Sequence, residues 1–167
     1  MSLPDPTLFL DELFDSLRAH QVAVDQLDLD HLCYRVATIM EYQAIKRARS
    51  RDAILLGESQ VGGRPIATYQ LQTPFVYQGR VIDVVEIPSP KPGSHYPTGY
   101  EHVEFVTDRP LPEFLDHLLS QNPALTNHLS TGGLAKTTNP AIRLTLPNDR
   151  SVKFHEQSLA EVILAEQ

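Results

Sequence analysis

The chain has 167 residues, 41% apolar and 21% charged, and a net charge of −7. That is the profile of a globular chain long enough for a real core. No apolar run approaches the ~18 residues needed to span a bilayer. An acidic chain whose basic residues gather only at Lys46, Arg47, Arg49 and Arg51 is a poor partner for nucleic acid.

The first element is a helix over residues 4–20. Leu8, Phe9, Leu13, Phe14 and Leu17 recur at helical spacing, and Asp5 and Pro6 are suited to its start. This N-terminus lacks a basic leader and reads as part of the mature fold. The lone cysteine, Cys33, cannot form an intramolecular disulfide, so a cytoplasmic location is expected.

Residues 30–36 alternate as a strand. Leu32, Tyr34 and Val36 share one face, and His31, Cys33 and Arg35 share the other. Thr38 then opens a helix over 39–51, with Glu41 completing a capping box. Strands are expected at 53–56, 66–71 and 81–87, separated by turn-rich stretches at 62–65 and 73–79. The run Pro88-Ser89-Pro90-Lys91-Pro92-Gly93 breaks the chain near its middle.

The second half repeats the first. A strand over 100–106 precedes a helix over 110–121, then an irregular stretch over 122–140. A hairpin pairs 142–146 with 151–155, and a short helical tail covers 158–167. Asp30-His31-Leu32 opens one half and Glu101-His102-Val103 the other. From His31 to Glu86 is 55 residues, and from His102 to His155 is 53. The repeat predicts two βαβββ modules, about 28–90 and 98–157, in one domain over 25–167 preceded by an N-terminal helical segment over 1–24. The fold class is α+β, with a curved mixed sheet around a central cup.

In that arrangement His31, Glu86, His102 and His155 converge from the first and last strand of each module. Three imidazoles and a carboxylate suit one divalent transition ion: Zn, Fe, Mn, Ni or Co. Calcium and magnesium prefer oxygen shells. Alternation puts Glu104, Arg35 and Lys153 on the same concave face. Glu104 could be a base, a support for a ligand or a partner of Arg35. Arg35 and Lys153 could bind an anion or neutralise buried acids. Tyr69 and Lys136 are further candidates for substrate contact. His20, His95, His117 and His128 have no repeat partner, and Cys33 reads as a small core residue.

The paired Asp-His and Glu-His strand starts, the Pro-rich break and the Lys153-Phe154-His155 ending resemble the vicinal-oxygen-chelate superfamily. That superfamily includes glyoxalase I, extradiol dioxygenases and methylmalonyl-CoA epimerase. Asp30-His31, Gly63-Arg64-Pro65-Ile66, Val85-Glu86-Ile87-Pro88, Glu101-His102-Val103-Glu104 and Val152-Lys153-Phe154-His155 are more closely similar to the YecM group of bacterial proteins. The resemblance implies a metal acting on adjacent substrate oxygens in a lyase, isomerase or dioxygenase. Glu104 or Glu86 would move the proton, and Arg35 or Lys153 would hold a small anionic substrate. The chain departs from glyoxalase-like sites in ending on His155 where a carboxylate is usual. A non-catalytic binder of a small molecule or metal, or a closed structural site, remains an alternative on the same fold. A monomer or homodimer without nucleic-acid or membrane partners is expected.

Overall fold

The computed structural model describes residues 3–166; positions 1–2 and 167 of the expected terminal segments lie outside them. Helix α1 (Thr7–Ala19) buries Phe9, Leu10, Leu13, Phe14 and Leu17, and Asp5 accepts the Thr7 N–H at 2.7 Å. Strand β1 (Asp28–Arg35) leads to helix α2 (Ile39–Arg49), where Thr38 and Glu41 form the capping box. Strands β2 (Ala53–Val61), β3 (Arg64–Tyr77) and β4 (Arg80–Pro88) follow as two hairpins. Their turns at Gly62-Gly63 and Gln78-Gly79 use positive φ throughout, which matches the twist of a tight hairpin.

The second half supplies β5 (Gly99–Val106), α3 (Leu111–Gln121), β6 (Leu129–Ser130), β7 (Ile142–Leu146), β8 (Arg150–His155) and α4 (Leu159–Ala165). The eight strands form one curved, unclosed sheet in the order β2-β3-β4-β1-β5-β8-β7-β6. Within each half the first and last strands run parallel, and the two halves join through the antiparallel β1–β5 pair. This is the expected α+β pair of βαβββ modules. Among the described residues, no helix is long and apolar enough to cross a membrane.

Two expectations are corrected. The stretch over 73–79 is not a separator: β3 continues through it to Tyr77. Pairing with β4 is interrupted between Gln70 and Phe75, around Pro74, which has no N–H to give the ladder. The irregular stretch over 122–140 contains two 3-10 turns and the short edge strand β6.

One face of the sheet is the core. Phe105 and Phe154 are fully buried there, with Phe14 of α1 at 6.1 Å from Phe105 and Phe114 of α3 at 4.9 Å from Phe154. Each such burial is worth roughly 1.5–3 kcal/mol. The other face is the cup. Its inner positions carry His31, Cys33, Glu86, His102, Glu104 and Lys153, as period-two alternation requires.

Candidate functional site

Both acid–histidine pairs sit at breaks in the β1–β5 register. Leu29 faces Phe105 and His31 faces Glu104, so Asp30 is an extra residue in β1. Cys33 faces His102 and Tyr34 faces Tyr100, so Glu101 is an extra residue in β5. A β-bulge re-aims a side chain that alternation would send to the other face. Here each bulged acid turns toward the histidine that follows it.

The consequence is a fixed tautomer. Asp30 accepts the His31 Nδ1–H at 2.7 Å, and Glu101 accepts the His102 Nδ1–H at 2.6 Å. A carboxylate can only accept, so Nδ1 keeps its proton, and when the ring gives up its other proton Nε2 offers a lone pair to the cup. His31 is wholly buried, and its Nε2 has no hydrogen-bond partner.

Those two nitrogens meet two carboxylates. Glu104 Oε1 lies 3.4 Å from His31 Nε2 and 3.1 Å from His102 Nε2, and Glu86 Oε2 lies 3.7 Å from His102 Nε2. Donor atoms of His31, Glu86, His102 and Glu104 all fall within 4.8 Å of one another. An ion bound at about 2.0–2.2 Å would set tetrahedral ligands roughly 3.3–3.6 Å apart. The observed separations bracket that range, so the donor set fits a transition ion in size and in chemistry.

His155 is placed differently from the expectation. In β8 it stands level with Val106, whereas Lys153 stands level with Glu104. The imidazole is fully buried and does not line the cavity in front of the cluster. Its Nδ1–H donates to the Gln157 carbonyl, and its unpartnered Nε2 faces Glu104 Oε2 at 3.3 Å and Asp30 Oδ2 at 3.5 Å. It stands behind Glu104 and forms a second candidate metal-ligating group with Asp30 and His31, while Glu104 joins His31, Glu86 and His102 in the four-residue cluster. Glu156, on the other side of the strand, caps α3 by accepting the Leu111 N–H at 2.7 Å.

Lys153 points inward, as expected, and ends on Glu104 Oε1 at 2.5 Å and His102 Nε2 at 3.1 Å. Its ammonium supplies positive charge among the donors. Arg35 does not reach the cavity; its guanidinium lies 4.1 Å over the Tyr96 ring and helps to stabilise the Glu101 carboxylate. Lys136 is exposed at the cavity rim. Tyr69 belongs to the core: it is level with Val85, on the face opposite the cup, and Thr68 beside it lines the cavity instead. The proposed substrate contact of Tyr69 is thus set aside by strand parity.

The electrostatics of the cluster favour cations. Burial opposes charge on His31, but Glu104 and Asp30 outweigh it and raise the imidazole to about 10. Burial likewise opposes the Glu104 charge, and His31 and Lys153 overcome it to hold the carboxyl well below its usual range. Glu101, despite burial, is lowered to about 2 by His102 and nearby arginines. His155 is lowered, chiefly by burial. Burial and the neighbouring Glu86 and Glu101 push the Cys33 thiol far up, which keeps it protonated and inert.

In front of the cluster lies a cavity of about 520 Å³. Its walls are the β2–β3 hairpin, the stretch around Lys136 and Asn139, and α4. Sequence reasoning missed the roles of Asp30, Glu101 and α4. Asp30 and Glu101 were visible as the acids preceding each histidine, yet their bulges carry no composition signal. The role of α4 was invisible: its first N–H, from Leu159, donates to Asp30 Oδ2 at 2.9 Å.

A family model described as YecM protein matches residues 3–166. Protein YecM of Escherichia coli (strain K12) is 27% identical over 172 residues, covering 95% of this chain and 89% of its own. A solved structure titled "Structural Genomics, Protein EC4020" superposes with a TM-score of 0.80 at 24% identity, covering 95% of this chain and 87% of that one. Streptomyces coelicolor methylmalonyl-CoA epimerase, solved with 2-nitronate-propionyl-CoA, shares the fold with a TM-score of 0.50 at 10% identity, over 77% of this chain and 95% of its own.

Proposed function

The chain belongs to the YecM family, and from that premise we propose that it is a divalent-metal-dependent enzyme of the lyase, isomerase or dioxygenase type, acting on a small oxygen-rich anion. One observation carries the reading. Two imidazoles, each locked by a bulged carboxylate, present Nε2 to the same point as Glu86 and Glu104.

His31, His102, Glu86 and Glu104 would hold the ion, which when bound would supply Lewis-acid polarisation of adjacent substrate oxygens. Oε2 of Glu104 is turned away from the cluster toward the buried His155, which leaves Glu86, on the cavity wall, as the carboxylate that would accept or return a substrate proton. Lys153 holds negative charge at Glu104 Oε1 and stays charged, since Glu104 and Glu86 prevail over burial in raising its pKa. The fold of the epimerase supports the architecture and not the particular reaction.

The test is metal content of protein purified without chelator or nickel resin. The expected result is close to one equivalent of a transition metal, and none in the His31→Ala/His102→Ala double variant. Full metal in that variant, or no uptake by the wild type, would end the proposal.

A further inference from the structure

The cavity is not uniformly polar. Its floor is the cluster just described, and beyond it, beside polar residues such as Gln60, Arg64 and Asn139, one part of the wall is aliphatic. Leu159, Val162 and Ile163 of α4 line it from one side. Their spacing of three and four residues puts them on one helical stripe, while Leu164 points outward and is 66% exposed. Ile66 and Pro88, at the paired ends of β3 and β4, line the same cavity. The stripe is held close to the sheet, since a Cβ on Gly57 would meet Ile163 Cγ2 at 3.0 Å.

A short helix whose apolar face lines a cavity containing buried carboxylates and imidazoles separates two chemistries within one space. An ion-binding head at the floor and an aliphatic extension along α4 would satisfy both. We propose that the ligand of this site carries an unbranched or lightly branched aliphatic chain of several carbons, lying against Leu159, Val162 and Ile163, attached to the oxygen-rich head that meets the cluster. This rests on the metal-site reading above and adds the identity of the ligand's other end. The stripe is the specificity determinant for chain length. The open rim, where Lys136 and Glu166 lie, leaves room for longer chains to emerge.

Alkyl hydroxamates test this directly, because their head is a fixed pair of adjacent oxygens and only the chain varies. Acetohydroxamate, butanohydroxamate and octanohydroxamate are titrated into the zinc-loaded protein by calorimetry. Affinity should rise by about fourfold for each methylene until the rim is reached. Val162→Thr, nearly equal in volume, and Ile163→Thr should lower the ratio of octanohydroxamate to acetohydroxamate affinity at least fivefold. Leu164→Ser, on the outer face of the same helix, should change neither affinity, and thermal melts check that all three variants fold. Acetohydroxamate binding with no dependence on chain length overturns the aliphatic subsite and leaves the metal reading standing. Failure of every hydroxamate to bind overturns both.

Discussion

Glu86 on β4 and Lys153 on β8 occupy the same place in the two halves of the sheet. Glu86 is level with Cys33, two residues past His31, and Lys153 is level with Glu104, two residues past His102. One half therefore offers a carboxylate at this position and the other an ammonium. The cluster draws its second carboxylate from Glu104, on the inner strand, and the ammonium of Lys153 lies against it at 2.5 Å.

The first prediction separates His155 from the ion-holding set. His31→Ala should reduce bound metal well below one equivalent. His155→Gln should keep stoichiometric metal, with an affinity loss no greater than the ~10–100-fold of an outer contact. Metal analysis after gel filtration reads both, and loss of metal in His155→Gln would return His155 to the ligands.

The bulged acids give a second prediction. Asp30→Asn and Glu101→Gln keep size but weaken the hold on Nδ1, so each should cost about 10–100-fold in metal affinity. Competition against a chromophoric chelator measures it. Unchanged affinity in both would mean the histidines need no orienting partner.

Lys153 supports the third. Its side chain is 27% exposed and that of Glu104 is 8% exposed. In Lys153→Met the metal-free protein keeps a buried carboxylate without its ammonium. The expected loss is on the order of 3 kcal/mol, at the low end for a broken buried pair because Lys153 is partly solvated. Saturating zinc should restore much of it by replacing the missing charge. Urea melts with and without zinc decide the matter; a variant as stable as wild type without metal contradicts the pairing.

The fourth concerns protons. In metal-free protein His31 is raised from 6.5 to about 10, so the stability from its charge is complete below pH 6.5 and disappears as pH climbs through about 10. Glu104 is lowered from 4.5, so its contribution is present above that value and disappears as pH falls below it. Metal-free protein should thus be most stable between about pH 5 and 6.5, and should lose the His31 contribution steadily from there to about pH 10. Zinc must displace the His31 proton, and about one proton should be released per ion at pH 7. Calorimetric titration in two buffers of different ionisation heat counts it. Release of none would show that His31 is not a ligand.

Much of this was legible in the residues. Alternation along β1, β5 and β8 put His31, His102, Glu104 and Lys153 in the cup, and the repeated acid–His start marked the pseudo-symmetric strands. Counting residues between repeat positions was less informative. The spacings of 55 and 53 match Glu86 to His155, yet ladder register matches Glu86 to Lys153. The counted residues include helices and loops that differ between the halves, and only the pairing of strands fixes level. Tyr69 was selected for its chemistry, but a one-residue offset from Thr68 sends it to the core. Bulges and the docking of α4 depend on contacts distant in sequence, which no local pattern encodes.

The contact between Asp30 and Leu159 spans 129 residues. The carboxylate beside His31 is thus completed by an N–H from the opposite half of the chain, and Glu86, His102 and Glu104 come from both halves. Neither half carries the whole cluster, so the arrangement exists only once the two halves have docked, and a fragment of either one keeps its acid–histidine pair without the partners that surround it.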